Sequence, residues 1–286
     1  MVTRIGHMAL QVPNLDEAVA FFTGVLALQE TLREAGRSYL TCNERHHELI
    51  LVEGPRRGYE HIGLEVADAA ALEETVASAV RAGGKSLGPA APEPGIAGAA
   101  LVASPAGHRF KLFYGMETVE PPPPDPSGAR PSRFEHVALK ARGLGSTERF
   151  LEEGLGFRFS DRVGSLASWW HCDEDHHGLA LQVAPNNHLH HHAWKQDDVN
   201  ALAVTADRLH ERGGQLAWGI GHHGPGDNRF IYFKGPTGAM VECCSDMASF
   251  GPGSTYEPRN WPFSATNLWG AGAPLKFVLA GAPPVA

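Results

Sequence analysis

Short runs of apolar residues, bounded by Gly, Pro, Asn and Asp, recur along the chain and predict strands. They lie at Arg37–Cys42, Glu48–Glu53, Ala100–Ala103, Arg109–Tyr114, Leu179–Ala184, Arg229–Phe233 and Met240–Cys243. Amphipathic stretches with helical spacing fall near Leu15–Leu28, Ala70–Ala82 and Val199–Arg212. A fourth, Ser146–Gly154, fits a helix with Ser146 as its N-cap and Glu148 and Arg149 in its first turn.

Each helical stretch follows a strand-like segment of one pattern, His-x-(Ala/Gly)-(Leu/Trp). The four copies are His7–Leu10, His61–Leu64, His136–Leu139 and His191–Trp194. The unit is a strand, a helix and then several strands, repeated four times. This predicts an α+β protein. The proline run Pro121–Pro124 with Asp125 and Pro126 is stiff and extended, as suits a linker. The expected division is a first half at 1–117, a linker at 118–132, a second half at 133–248 and a tail at 249–286. The tail carries Tyr256, Trp261, Phe263 and Trp269, which suit either a cover over the second half or a subunit contact.

The halves match residue by residue. Cys42-Asn43-Glu44-Arg45-His46-His47 parallels Cys172-Asp173-Glu174-Asp175-His176-His177, and both His47 to His61 and His177 to His191 span 14 residues. Pro105-Ala106-Gly107 parallels Pro236-Thr237-Gly238, and four residues past each glycine stand Lys111 and Glu242. A lone histidine on an apolar strand is usually a hydrogen-bonded core residue. Here the matched register singles out His136, His191 and Glu242. Two imidazoles and one carboxylate from three strands can hold one face of a divalent metal and leave the other positions open, as in non-haem Fe(II) oxygenases. His190 and His192 compete with His191, but strand alternation turns them away from its face. Cys243 and Cys244 are adjacent soft donors on opposite strand faces. In the first half, the ammonium of Lys111 stands where a ligand is needed, so His7 and His61 are expected to hold no metal.

The net charge is −8, which disfavours non-specific nucleic-acid binding. Four cysteines without a paired framework, no signal-like N-terminus and no bilayer-length apolar run lead us to expect a cytoplasmic protein without membrane partners. Sixteen histidines, mostly in spaced clusters rather than one run, point toward sites.

Over residues 4–247 the chain resembles the type I extradiol dioxygenases of the vicinal oxygen chelate fold, the group of catechol 2,3-dioxygenase and 2,3-dihydroxybiphenyl 1,2-dioxygenase. Glu135-His136-Val137-Ala138-Leu139 is similar to that family's first ligand strand, and His190-His191-His192-Ala193-Trp194 to its second. His176-His177-Gly178-Leu179-Ala180-Leu181 resembles the segment with its acid–base histidine. His223-Gly224, Phe230-Ile231-Tyr232-Phe233, Gly235-Pro236-Thr237-Gly238 and Val241-Glu242 resemble its closing motif, with steps of nine and ten residues from His223 to Tyr232 to Glu242. Gly235 departs from the acidic residue often found there.

The resemblance implies four βαβββ modules paired into two domains, with only the second binding metal. It implies Fe(II), with Mn(II) as the alternative, and a catecholic substrate with O₂, both of whose atoms enter the product. It assigns acid–base work to His177, over the adjacent His176, because a small residue and Leu-Ala follow it. It assigns substrate hydrogen bonds to His223 and Tyr232, leaves His222 as a rival to His223, and makes Asp227 a candidate partner of His223. It also implies a homo-oligomer. The competing expectations are an isomerase or transferase of the same fold, or a non-catalytic binder of aromatic ligands.

Overall fold

The computed structural model describes residues 1–285. Its first half runs β1 (Val2–Val12), α1 (Leu15–Val25), β2 (Gln29–Glu34), β3 (Arg37–Thr41), β4 (Leu49–Glu53), β5 (Gly58–Val66), α2 (Ala69–Arg81), β6 (Lys85–Ala90), β7 (Gly98–Ala103) and β8 (Arg109–Tyr114). The second repeats that order with β9 (Arg133–Ala141), α3 (Gly145–Arg149), β10 (Arg158–Val163), β11 (Ala167–His171), β12 (Leu179–Val183), β13 (Leu189–Lys195), α4 (Val199–Glu211), β14 (Leu216–His222), β15 (Arg229–Lys234) and β16 (Met240–Ser245). The tail adds β17 (Arg259–Asn260), a 3₁₀ turn at Phe263–Thr266 and α5 (Leu275–Leu279). The chain is thus four βαβββ modules, as the repeated histidine pattern predicts.

Each half forms one mixed sheet. The first has the order β2-β3-β4-β1-β5-β8-β7-β6, and the second repeats it, in reverse listing, as β14-β15-β16-β13-β9-β12-β11-β10, with β17 added beside β10. In both, the first strands of the two modules pair antiparallel at the sheet centre, β1 with β5 and β9 with β13. This pairing brings the repeated histidines together.

Three helices start on side-chain caps: Asn14 accepts from the Glu17 N–H at 3.1 Å, Asp68 from Ala71 at 2.8 Å and Asp198 from Ala201 at 2.9 Å. The fourth helix departs from expectation. It starts at Gly145 with Leu144 at the cap and no side-chain bond, so Ser146 lies inside it and caps nothing. It then widens into a π-helical turn, Phe150–Leu155. That turn packs on α2 of the other half, where Gly154 lies close to the Ala79 backbone and Phe150 stacks 6.0 Å from Phe110. Across the opposite contact Phe21 of α1 meets Phe233 of β15 at 6.2 Å. The halves consequently share one apolar core, in which Phe22, Phe110, Phe134, Phe150 and Trp194 are fully buried. Among the described residues no helix is long and apolar enough to cross a membrane.

The tail returns over the second sheet and ends on the first. Ala282 exchanges backbone hydrogen bonds with Leu189, and Tyr59 of β5 does so with Pro283 and Val285. Arg109 of β8 donates to the Val285 carbonyl at 2.9 Å.

Candidate metal centre and cavity

The antiparallel register sets His136 of β9 opposite Ala193, and the parallel register of β13 on β16 sets Glu242 beside Ala193 as well. His136, His191 and Glu242 therefore converge from three adjacent strands, all buried, with donor atoms within 4.8 Å of one another. His136 Nε2 lies 3.0 Å and His191 Nε2 3.2 Å from the same Glu242 oxygen.

The hydrogen bonds behind these residues turn Nε2 of both histidines toward Glu242. His136 Nδ1 faces the Glu135 carboxylate at 3.2 Å, so it carries a proton, and Nε2 becomes a ligand atom once it gives up the proton it directs at Glu242. His190 Nε2 donates to the Phe277 carbonyl at 2.9 Å, so its Nδ1 accepts from His191 Nδ1 at 2.7 Å, which leaves the lone pair of His191 on Nε2. His190 thus holds His191 in place and does not compete with it. His192 turns away and accepts from the Trp194 indole at 3.0 Å. The donor set and its tautomers fit a divalent first-row ion.

Burial opposes a charge on His136, but Glu242 and Glu135 outweigh it and raise its pKa to about 9. Burial first, then the neighbouring histidines, push His191 well below the usual value.

Cys244 lies beside a second donor group, Glu135, His136 and Cys244. Its thiol donates to Glu135 at 2.6 Å, and burial, Glu135 and Glu242 push its pKa well up. A protonated thiol is a poor ligand. Cys243 faces the main apolar core instead.

His177 sits with its ring centre 4.3 Å from that of His136, at the floor of a cavity lined by His136, His191, Glu242, His223 and Tyr232. His176 points away, toward the buried Asp161, with Nε2 3.1 Å from its carboxylate. His223 and His222 also part. His223 Nδ1 donates to the Thr266 carbonyl at 2.6 Å and its Nε2 faces the Tyr232 hydroxyl at 3.1 Å, while His222 pairs with Asp227 at 2.6 Å. The expected partnership of Asp227 with His223 is therefore corrected: Asp227 holds His222, and a tail carbonyl holds His223. Burial drives the pKa of His223 down to about 4, and burial with the Glu242 charge pushes Tyr232 well above its usual value. Both are neutral near pH 7.

Several contributors escape the sequence pattern. Glu135, His190, Asp161 and the buried Asn228, whose amide faces Glu242 at 3.5 Å, support the site from outside any ligand motif. Glu135 and His190 directly precede two ligands, which was the available signal. The tail supplies Phe263, Thr266, Ala273, Phe277 and Val278 to the cavity wall. Tyr256 and Trp261 bond Asp161 at 2.6 and 2.7 Å, while Trp269 lies outside, against His222.

In the first half His7 and His61 meet likewise, Nε2 to Nε2 at 3.3 Å. Lys111 occupies the Glu242 position, and its ammonium pairs with Glu93, a buried carboxylate from the loop after β6. Glu93 lies 3.3 Å from His61, and with His7 and His47 it forms another three-donor group. The internal ammonium stands among these donors.

Two repeated mixed sheets of paired βαβββ modules, the second with three buried donors that could hold a metal ion beside a cavity, define the class of fold and site. The chain belongs to the Glyoxalase/Bleomycin resistance protein/Dioxygenase superfamily, whose family model matches residues 4–112 and 133–243. It is 28% identical to a manganese-dependent 2,3-dihydroxybiphenyl 1,2-dioxygenase of Geobacillus genomosp. 3, over 91% of this chain and 90% of that protein. It is 26% identical to a metapyrocatechase of Geobacillus stearothermophilus, over 99% and 94%. A solved structure, the Mn(II)-bound glyoxalase from Novosphingobium aromaticivorans, superposes with a TM-score of 0.88 at 25% identity, covering 96% of this chain and 93% of the other.

Proposed function

We propose that this protein is an extradiol dioxygenase that opens the ring of a catechol with O₂. His136, His191 and Glu242 hold a divalent Fe or Mn, and His177, His223 and Tyr232 act on the substrate. The observation that carries this reading is the convergence of two imidazole Nε2 atoms and one carboxylate on a cavity floor that also presents His177, His223 and Tyr232. The named relatives add the reaction class. A bound ion would lower the pKa of a catechol hydroxyl and bring diol and O₂ to neighbouring positions.

The side chains then have distinct tasks. His176 Nδ1 and His177 Nδ1 face each other at 3.0 Å, and His176 Nε2 lies 3.1 Å from the Asp161 carboxylate. In this reading His177 donates from Nδ1 in that contact, which leaves its Nε2 lone pair for substrate. Burial first, then His136 and His176, push its pKa well down, so it is a neutral base able to take a proton and return it. His223, locked by Thr266, accepts at Nε2, and the neutral Tyr232 donates its hydroxyl hydrogen. Together they orient two substrate oxygens. The apolar tail wall excludes water.

In this reading the half at 1–117 is metal-free, because Lys111 supplies the cation its carboxylate needs. The half at 133–248 is catalytic, and 249–286 covers it. The negative charge and cysteine usage support a cytoplasmic setting, and the resemblance supports a homo-oligomer. The second reading, an isomerase of the same superfamily, gains support from the neighbour named a glyoxalase. The three-ligand site with its adjacent histidines favours the dioxygenase. Mixing the Fe(II)- or Mn(II)-loaded protein with 2,3-dihydroxybiphenyl under air decides: coupled O₂ uptake and a yellow product are expected, and their absence with a fully loaded site refutes the proposal.

A further inference from the structure

The cavity has two chemically different ends. Its floor carries the polar groups described above. Beyond them the wall is apolar, built from Val163, Ala167, Trp169, Ala180, Trp218 and Phe277, with Gln182 and Thr266 as the polar members away from the floor. Among the described residues no Lys or Arg lines it. The mouth is more distinctive. Leu166, Val183, Phe263 and Val278 all line the cavity, yet are 50%, 46%, 61% and 46% exposed. Large apolar side chains left open to water around one opening mark a surface that an apolar ligand covers.

Two cations on neighbouring segments, Lys140 and Arg162, have partners, and the exposed Lys276 of α5 is not among the residues that line the cavity. Lys140 donates to the carbonyls of Val278 and Ala280, which holds α5 in place. Arg162 pairs with Glu148 at 3.0 Å. A carboxylate brought into this channel would lose its water and find no counter-charge, which is costly. An alkyl or aryl group there would shed water against apolar carbon, which is favourable in proportion to the area covered.

We propose that the catechol this site takes bears a bulky, uncharged apolar substituent. That group lies along Trp169 and Phe277 and emerges between Leu166, Val183, Phe263 and Val278, and catechols with an acidic side chain are rejected. The inference rests on the dioxygenase reading only for the diol end. The selection of the substituent belongs to the walls and stands apart from the chemistry.

The test measures binding without turnover. The Mn(II)-loaded protein is titrated calorimetrically, in the absence of O₂, with catechol, 3-propylcatechol, 2,3-dihydroxybiphenyl and 3-(2,3-dihydroxyphenyl)propanoate. The propyl and propanoate compounds have nearly the same length and differ in charge. Burial of an added phenyl or propyl group should tighten binding at least roughly tenfold over catechol. The propanoate should bind at least roughly tenfold more weakly than 3-propylcatechol. A propanoate within threefold of the propyl compound, or no gain from the phenyl group, overturns the inference. Val183→Lys, at the exposed end of β12, places a cation on the rim. It should narrow the propyl–propanoate gap about fivefold, and an unchanged gap overturns the assignment of that rim. Tight, selective binding of the apolar catechols followed by no O₂ uptake upholds this inference and sinks the dioxygenase reading, so the two fail separately.

Discussion

Replacement of Lys111 by Met would test the contrast between the two halves. Lys111 and Glu93 are both buried, and the ammonium contacts the carboxylate directly. Removing one member of such a pair leaves an uncompensated charge and typically costs about 3–5 kcal/mol. Here Glu93 keeps a neighbour, His61, at 3.3 Å; the variant removes Lys111, the largest cationic influence on that imidazole, but burial, the leading cause of its lowered pKa, remains. The loss should therefore lie within that range, or on the order of 6–12 °C in melting temperature for a chain of this size. Burial already raises the pKa of Glu93 against the opposing pull of Lys111, and loss of the ammonium raises it further. A carboxyl whose folded pKa lies above its unfolded value stabilises the fold below the unfolded pKa and loses that contribution as pH rises through the folded one. The variant should accordingly be weakest at pH 8 and recover toward pH 5. Its vacated space is surrounded by His7, His61 and Glu93, a set of two imidazoles and one carboxylate. Mn²⁺ or Zn²⁺ should restore part of the lost stability and raise the bound metal from one to two per chain, whereas Lys111→Met with Glu93→Gln should stay at one. Melting curves across pH, with metal analysis by mass spectrometry, measure all of this. A variant as stable as the parent at pH 8, or a parent chain that already holds two ions, would refute the reasoning.

Other expectations follow from the second half. Because the metal-free His136 has its pKa raised to about 9, it is protonated at pH 7, so loading a divalent ion should release about one proton. Affinity should then climb about tenfold per pH unit from 7 toward 9 and flatten above; calorimetric heats that do not vary with the buffer's ionisation enthalpy would contradict this. His177→Ala should keep full metal content and lose turnover by at least about a hundredfold, and undiminished turnover in the loaded variant removes its proposed role. Asp161→Asn should leave metal content intact, lower kcat about tenfold and shift the acid limb of its pH profile, because His176 would no longer impose the tautomer of His177. An unchanged profile speaks against that relay. His190→Ala should weaken metal binding about 10–100-fold, read by competition with a chelator, since His191 loses its Nδ1 acceptor; parent-like affinity argues that the ring is held by packing alone.

The modules were legible because each central strand announces itself with the same histidine pattern and each long helix with its cap. The edge strands were not. β2, β6 and β14 are half-exposed, and β6 and β14 contain Gly or Pro, so neither alternation nor an apolar run marks them. That His136, His191 and Glu242 come together could be read from the register between halves, since Lys111 against Glu242 is a difference visible in one sequence. What held the ligands could not be read. His190 looked like a competitor because its nitrogen meets a carbonyl of a helix 87 residues away, and Glu93 was invisible because its partner lies on a different strand. Such pairings are set by long-range packing. Ser146 failed as a cap because the chain turns helical one residue earlier and then widens to pack on α2.

The end of the chain ties the cavity of the second half to the first. The segment that roofs the cavity and holds His190 through Phe277 is moored at Tyr59 and Arg109, on the other sheet. Severed from its sister, the second half would lose the anchorage of its ceiling. The first half thus serves as a dock for the segment that closes the other half's cavity.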